Sequence, residues 1–304
     1  MGALQTPVRI SLKNILVATD FSFCSEMALH FAAIIARRHG ARLFLAHVLP
    51  AEARPAIPIE PLPPELDTEH RRAESQIIEL LRDPVLSGIT CDTLLAHGAF
   101  WEVLGEMMVE KGIDLLVTGT HGREGLKKVV LGSVAEQIFR FASRPVLTVG
   151  PHVDPKLLAD SKLQHVLFAT DFSDGSLHAL PYALALAQED GAALTLLHVV
   201  TATIPTELAV LYQGEYQDRL VVAAREQLQK ISPAEAELGR KPELLVACGT
   251  PADCILRKAA ERNSSMIVMG VHHGAPRAAS HVPWTIAHRV VGHAHCPVLT
   301  VRGG

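Results

Sequence analysis

Glycines and a serine at fixed spacing form the segment of this chain with the clearest capacity for chemistry. The string GTHGREGLKKVVLGS runs from Gly119 to Ser133 and has the pattern Gly-x2-Gly-x9-Gly-Ser. Glycine lets backbone N–H groups approach a phosphate closely, and the serine hydroxyl adds a donor. Apolar side chains at helical spacing follow from Val134 to Ala142, which predicts a helix that begins at this serine. Because a helix N-terminus favours an anion, the pattern predicts a phosphate cradle.

This pattern differs from the two commonest phosphate-binding loops. A P-loop has four residues between its glycines and then Lys-Ser/Thr, and no such string occurs here. A dinucleotide fingerprint places its glycines directly after the first strand, whereas the first predicted strand here ends in Thr19-Asp20. An alternative interpretation stays open, namely that the glycines only connect a strand to a helix.

The sequence repeats itself over nearly its whole length. The segment Ile15–Ser22 (ILVATDFS) recurs as Val166–Ser173 (VLFATDFS), and the pair Asp20 and Asp171 is 151 residues apart. A period of this length indicates a domain duplication. The two prolines after Gly150 break secondary structure, so we predict one domain over residues 1–150 and a second over residues 151–304.

Apolar strands alternate with helical patterns in each half. In the first half the predicted strands cover residues 14–19, 42–47, 90–96, 113–118 and 145–149. The pattern predicts a helix over 25–39, with Ser22 as its N-cap and Gly40 at its end. Buried strands joined by crossover helices predict an α/β fold with two tandem doubly wound domains. Each domain is expected to hold a five-stranded parallel sheet in the order 3-2-1-4-5, with helices on both faces and a ligand crevice where strands 1 and 4 end.

Composition excludes several classes of protein. The formal net charge is −4, which argues against a nucleic-acid or membrane-surface partner, and no apolar run approaches the length of a membrane span. The first residues carry no signal-peptide pattern, and the five cysteines include no CxxC pair. We therefore expect a soluble, cytoplasmic protein.

The glycine spacing and the repeated domain together resemble the universal stress protein family. The resemblance implies an ATP site in the first half, with Mg²⁺ or Mn²⁺ held through the phosphates, a homodimer, and an unknown protein partner. It also implies a nucleotide-responsive regulator of stress response. It assigns the nucleotide-binding role to ten residues: Ala18, Thr19, Asp20, Val48, Thr118, Gly119, Gly122, Gly132, Ser133 and Val134. His121 and Arg123 are further candidates for this role. For Asp20, a role as the cap of the first crossover helix is the alternative.

The second half departs from the motif. Three residues separate Gly270 from Gly274, and Trp284 stands at the position of Gly132. An indole would fill the space that a phosphate needs, so we expect this half to be degenerate for ATP. Six of the sixteen histidines lie between His272 and His295. A surface or capping role is the expected one, and metal binding is the alternative.

The sequence contains no clear set of catalytic residues. Asp20 and His121 are the only evident candidates for a general base near the predicted cradle, so ATP hydrolysis is expected to be slow at most. Two alternatives stay open. One is a nucleotide-independent scaffold for protein contacts, and the other is an adenylyl-transferring or ATP pyrophosphatase enzyme, whose signature loops are absent.

Overall fold

The computed structural model describes residues 10–50, 64–120, 142–160, 162–201, 206–234, 238–271 and 281–303. The chain divides into two compact units, which we call the N-terminal unit (Ser11–Pro151) and the C-terminal unit (His152–Gly304, grouped with Met1–Ile10). Within the described ranges, no helix combines the length and the apolar character needed to cross a membrane.

The N-terminal unit alternates strands and helices as predicted. Its elements are β1 (Asn14–Ala18), α1 (Phe23–His39), β2 (Arg42–Pro50), α2 (Pro64–Leu81), β3 (Cys91–Gly98), α3 (Phe100–Glu110), β4 (Leu115–Gly119) and β5 (Val146–Val149). The strands are parallel and lie in the order β3-β2-β1-β4-β5, which confirms the predicted order. Strand β2 is three residues longer than predicted because its pairing with β3 continues to Pro50 opposite Gly98.

The C-terminal unit repeats this plan. It contains β6 (His165–Thr170), α4 (Asp174–Leu177), α5 (Leu180–Asp190), β7 (Ala193–Val200), α6 (Thr206–Ile231), β8 (Glu243–Cys248), α7 (Pro251–Glu261), β9 (Met266–Val271), α8 (His281–His293) and β10 (Val298–Arg302). The parallel order β8-β7-β6-β9-β10 is again 3-2-1-4-5. The α/β class with two doubly wound units is thereby confirmed.

Helix α1 has the N-cap and the end that the sequence predicts, although it begins at Phe23, two residues before the predicted start. The Ser22 hydroxyl accepts a hydrogen bond from the Ser25 backbone N–H at 3.3 Å, which satisfies one of the donors left open at a helix start. Gly40 ends the helix in the left-handed conformation, with φ of 63°. In the C-terminal unit the corresponding stretch is split into α4 and α5, because Pro181 at the start of α5 cannot continue a preceding helix.

Strand β1 is buried on both faces, as a central parallel strand should be. On one face, Leu16 and Ala18 pack with Phe44 and Ala46 of β2 against α3, where Leu104 is fully buried. These contacts hold the carboxyl ends of the central strands in a fixed arrangement.

A polar network crosses the amino ends of the strands in the C-terminal unit. The buried His165 ring places Nδ1 2.9 Å from the Ser264 hydroxyl and Nε2 2.9 Å from the Thr195 hydroxyl. Thr195 donates to Glu243 at 2.7 Å, and Arg262 Nε donates to the same carboxylate at 2.6 Å. Burial lowers the pKa of His165, whereas the hydrogen bond from Arg262 lowers the pKa of Glu243 to about 2. The folded state therefore favours a neutral histidine beside an ionised carboxylate.

This network predicts a pH-dependent loss of stability. The folded His165 pKa lies below the unfolded value of 6.5, so its contribution is complete above pH 6.5 and is lost as the pH falls below that value. His165→Asn, which copies Asn14 at the equivalent position, should lose less stability between pH 7.5 and pH 5 than the wild type. Urea unfolding at the two pH values measures both losses. Equal losses in the two proteins would contradict the role of this histidine.

Candidate functional site

The carboxyl ends of three neighbouring strands meet at one edge of the N-terminal sheet. The register aligns Ala18 of β1 with Ala46 of β2 on one side and with Thr118 of β4 on the other. Asp20 therefore follows β1 beside Gly119, the last residue of β4. The strand order reverses between these two strands, and ligands of doubly wound sheets bind in such a crevice.

A tight turn joins β1 to α1 through side-chain hydrogen bonds. The Thr19 hydroxyl accepts the Phe21 backbone N–H at 3.0 Å, and the Asp20 carboxylate accepts the Ser22 N–H at 3.0 Å. Phe21 has a φ of 61°, a left-handed conformation that a bulky residue rarely adopts. The two bonds hold the backbone there, so the Thr-Asp-Phe-Ser sequence acts as one structural unit, which we call the TDFS turn.

The C-terminal unit builds the same turn from its copy of the sequence. Thr170 accepts the Phe172 N–H at 2.9 Å, Asp171 accepts the Ser173 N–H at 3.0 Å, and Phe172 has a φ of 65°. The alternative role of Asp20 as the cap of α1 is wrong, because Ser22 caps that helix. Asp20 and Asp171 instead each give one carboxylate oxygen to the turn.

A histidine that is not among the predicted site residues belongs to this site. His47 of β2 places Nδ1 2.7 Å from the Thr19 carbonyl, so Nδ1 carries the proton and donates. Its ring lies 4.5 Å from the Phe21 ring. His198 and Phe172 reproduce the pair in the C-terminal unit, with 4.3 Å between ring centroids. The recurrence of Leu-Ala-His-Val as Leu-Leu-His-Val was the available signal.

The described candidate residues fall into two groups. Ala18, Thr19 and Thr118 are buried, and the two hydroxyls have partners within the fold, since Thr118 donates to the Gly119 carbonyl at 3.1 Å. Asp20 and Val48 are partly exposed. Among the described candidates, these two and Gly119 are therefore the ones with exposed surface.

Six further predicted residues lie outside the described residues: His121, Gly122, Arg123, Gly132, Ser133 and Val134. The phosphate cradle thus stays a prediction from sequence. The residues directly before the predicted loop are described. Strand β4 precedes it, and Thr120 donates its backbone N–H to the Val149 carbonyl at 3.1 Å.

Gly119 has a structural role that the sequence did not reveal. A Cβ atom at this position would lie 2.7 Å from both the Cys24 carbonyl carbon and the Ser25 nitrogen. The first turn of α1 therefore approaches the end of β4 more closely than any side chain permits. Gly270 plays the same part in the C-terminal unit, where a Cβ would lie 2.3 Å from the Ser176 Cα.

Three of the exposed histidines in the C-terminal unit lie close together. The His152 ring is 6.3 Å from that of His293 and 6.2 Å from that of His295. His293 Nδ1 donates to the Arg289 carbonyl, and His295 Nδ1 donates to the His152 carbonyl. In the part of the chain that the structure describes, no three His, Cys, Asp or Glu side chains are grouped so that they could hold a metal ion.

The comparisons with known proteins agree with this architecture. The universal stress protein family model matches residues 11–150 and again 162–302, so the chain belongs to that family and carries two copies of its domain.

Similar proteins include both two-domain and one-domain members. A universal stress protein of Mycolicibacterium smegmatis is 28% identical over 296 residues, which are 95% of this chain and 97% of the relative. Universal stress protein YxiE of Bacillus subtilis is 32% identical over 144 residues, or 45% of this chain and 97% of its own length. The crystal structure of a universal stress protein from Archaeoglobus fulgidus has a TM-score of 0.66, with 22% identity and 98% coverage of each chain.

The close approach at Gly119 predicts a specific loss of stability. Gly119→Ala should lower the free energy of unfolding by about 1–3 kcal/mol, because the added methyl group meets backbone atoms of α1 and forces a shift. Denaturant unfolding measures the change. Gly105→Ala in α3 is the matched control, since a Cβ there meets no atom within 4 Å, and it should raise stability by about 0.5–1 kcal/mol. A Gly119→Ala protein as stable as its control would contradict the steric role.

Proposed function

We propose that this chain is an ATP-binding universal stress protein that acts as a nucleotide-responsive regulator. The observation that carries the proposal is the convergence of Asp20 and Gly119 at the strand-order reversal of the N-terminal sheet, directly before the Gly-x2-Gly-x9-Gly-Ser sequence. A crevice of this kind offers apolar surface for a base and a carboxylate for hydroxyl or amine donors. The glycine sequence that follows suits a phosphate chain.

The described residues suit the adenosine half of ATP. Val48 is partly exposed and supplies apolar contact, and one Asp20 oxygen is used by the turn, so the other oxygen is the candidate acceptor for a ligand donor. Gly119 provides backbone without a side chain at the edge of the crevice. When bound, Mg²⁺ or Mn²⁺ would neutralise phosphate charge, and Gly132 and Ser133 are the residues proposed to hold those phosphates.

Regulation by the presence or absence of bound ATP suits this arrangement better than rapid ATP hydrolysis. A phosphoryl-transfer enzyme needs a group that orients or deprotonates the attacking water. In the described part of the crevice, Asp20 is the carboxylate nearest to that task, and its Oδ1 already accepts a backbone N–H. Slow ATP hydrolysis is compatible with this arrangement. A homodimer and a protein partner are proposed to respond to whether ATP is bound.

A cytoplasmic location is part of the proposal. All five cysteines, which lie within the described residues, are free thiols, and two of them are partly or fully exposed. Free thiols are typical of reducing compartments.

The first prediction from this proposal concerns the number of ATP sites per chain. Calorimetric titration with ATP and Mg²⁺ should give one site per chain, because Trp284 replaces Gly132 in the C-terminal copy. Gly132→Trp should abolish binding, while Trp284→Gly should leave the N-terminal site unchanged. Two equal sites in the wild type, or unchanged affinity in Gly132→Trp, would overturn the assignment. Absence of binding in the wild type would favour the scaffold alternative.

The second prediction separates the two roles of Asp20. Asp20→Asn keeps an oxygen that accepts the Ser22 N–H but removes the charge, so stability should change little. ATP affinity should fall by about tenfold to a hundredfold, since a hydrogen bond to a charged group is worth about 1.5–3 kcal/mol. Asp171→Asn is the matched control, because it changes the same turn in the other unit and should leave ATP affinity as it was. Equal effects of the two variants on ATP binding would show that Asp20 acts only through the fold.

A further inference from the structure

Two cysteines of the C-terminal unit lie at the junction of β8 and α7. Cys248 is the last residue of β8, and Cys254 follows it in the first turn of α7, where its backbone N–H donates to the Thr250 carbonyl at 3.0 Å. Cys248 is exposed, whereas Cys254 is buried. The junction therefore pairs one thiol that faces solvent with one that is shielded from it.

The turn between the two elements brings the Cys254 sulfur against the backbone of Cys248. The Cys254 thiol donates to the Cys248 carbonyl oxygen at 3.6 Å. Standard bond lengths place this oxygen about 2.4 Å from its own Cα, so the Cys254 sulfur lies within about 6 Å of the Cys248 Cα. A disulfide joins Cα atoms that are about 4.4–6.8 Å apart. A rotamer change of the exposed Cys248 side chain can therefore bring the two sulfurs together.

A glycine between the two cysteines permits this close approach. Gly249 has a φ of 137°, a backbone conformation that favours glycine. A Cβ atom at this position would lie 3.2 Å from the Cys254 sulfur. The missing side chain thus leaves the niche in which the sulfur of Cys254 sits.

The N-terminal unit has the same niche without the thiols. Its glycine is Gly98, and a Cβ there would lie 2.7 Å from a methyl group of Val103. The offset of 151 residues places His97 and Val103 at the positions of Cys248 and Cys254. The niche therefore belongs to the shared scaffold, whereas the two thiols are specific to the C-terminal unit.

A positive charge beside the second thiol is also specific to this unit. The Arg257 guanidinium places Nη2 3.7 Å from the Cys254 sulfur. A cation in this position stabilises the negative charge of an attacking thiolate. The equivalent residue of the N-terminal unit is Glu106, which carries the opposite charge.

The other three cysteines are shielded from oxidants. Burial raises the pKa of Cys296 to about 12, and burial together with the charge of Asp92 raises the pKa of Cys91 to about 11. Cys24 is 6% exposed. Since oxidation of a thiol follows its exposure and its thiolate character, these three should stay reduced where Cys248 reacts.

We propose that Cys248 and Cys254 are a modification site at which hydroperoxides produce a reversible disulfide. The Cys248 thiolate attacks one peroxide oxygen, the O–O bond breaks, and the other oxygen takes up a proton and leaves as water or an alcohol. Cys248 becomes a sulfenic acid. The Cys254 thiolate then attacks the Cys248 sulfur, the S–O bond breaks, and the oxygen leaves as water after protonation. The two sulfurs are oxidised to a disulfide, and the hydroperoxide is reduced.

Peptide mapping of the full chain after treatment with hydrogen peroxide tests this proposal. Remaining thiols are alkylated with N-ethylmaleimide in denaturant, and trypsin then releases a peptide over residues 241–257 that contains both cysteines. In the wild type this peptide should be two hydrogen atoms lighter than its reduced form and carry no alkyl group. Dithiothreitol should reverse the change. The mapping needs no nucleotide, so its result is independent of whether the N-terminal unit binds ATP.

Variants that copy the N-terminal unit separate the two steps. Cys254→Val should leave Cys248 as a sulfenic acid that dimedone labels, because the second thiol is missing. Cys248→His should leave Cys254 reduced and alkylated. Arg257→Glu should slow disulfide formation and so increase transient dimedone labelling of Cys248. The same side chains occupy these positions in the N-terminal unit, and thermal unfolding checks that each variant folds.

A control variant at an unrelated thiol makes the result specific. Cys91→Ser changes a partly exposed cysteine of the N-terminal unit and should leave the disulfide unchanged. Three results in the wild type would each overturn the proposal. They are a peptide that stays alkylated at both cysteines, a Cys248 that persists as a sulfenic acid or oxidises further, and a disulfide that joins either residue to Cys24, Cys91 or Cys296.

Discussion

The left-handed backbone of a single phenylalanine in each TDFS turn is the constraint on which both units depend. A non-glycine residue in this region costs about 1–3 kcal/mol and persists only where its surroundings hold it. Here the preceding threonine hydroxyl accepts the phenylalanine N–H, and a histidine of the next strand packs on its ring while donating to the threonine carbonyl. The turn directs α1 towards the end of β4, and the helix comes so near that only glycine fits there. This one local conformation thus positions the end of β1, the start of α1 and the crevice between β1 and β4.

The two units share the same scaffold and differ in sequence at particular positions. The TDFS turn, the histidine pair and the glycine after the fourth strand recur with nearly the same geometry. The sequences differ at other positions, where Pro181 stands for His30, Pro251 for Phe100 and Trp284 for Gly132. The first of these replacements divides the first helix of the C-terminal unit in two, and the strand order is the same in both units.

Much of the fold follows from local signals in the sequence. Alternation of apolar strands with helical spacing indicates a parallel sheet, and a serine and a glycine mark the ends of α1 because capping depends on neighbouring residues alone. The longer β2 and the contact of Gly119 with α1 depend on pairings between distant segments, which a linear pattern does not contain. The His165 network was missed for the same reason, since its partners come from four separate segments of the C-terminal unit. The contact of the Cys254 thiol with the Cys248 carbonyl depends on the turn between β8 and α7, and the spacing of the two cysteines alone does not predict it.

Amide chemical-shift mapping of the full chain during titration with ATP and Mg²⁺ tests the central claim most directly, because it reports where the nucleotide binds. The TDFS turns of the two units give matched reporters in one sample. The amides of Asp20, Val48 and Gly119 should shift in a saturable manner, while those of Asp171, Val199 and Gly270 should stay in place. Equal shifts in both sets, or shifts confined to the second set, would contradict the division of roles between the two units.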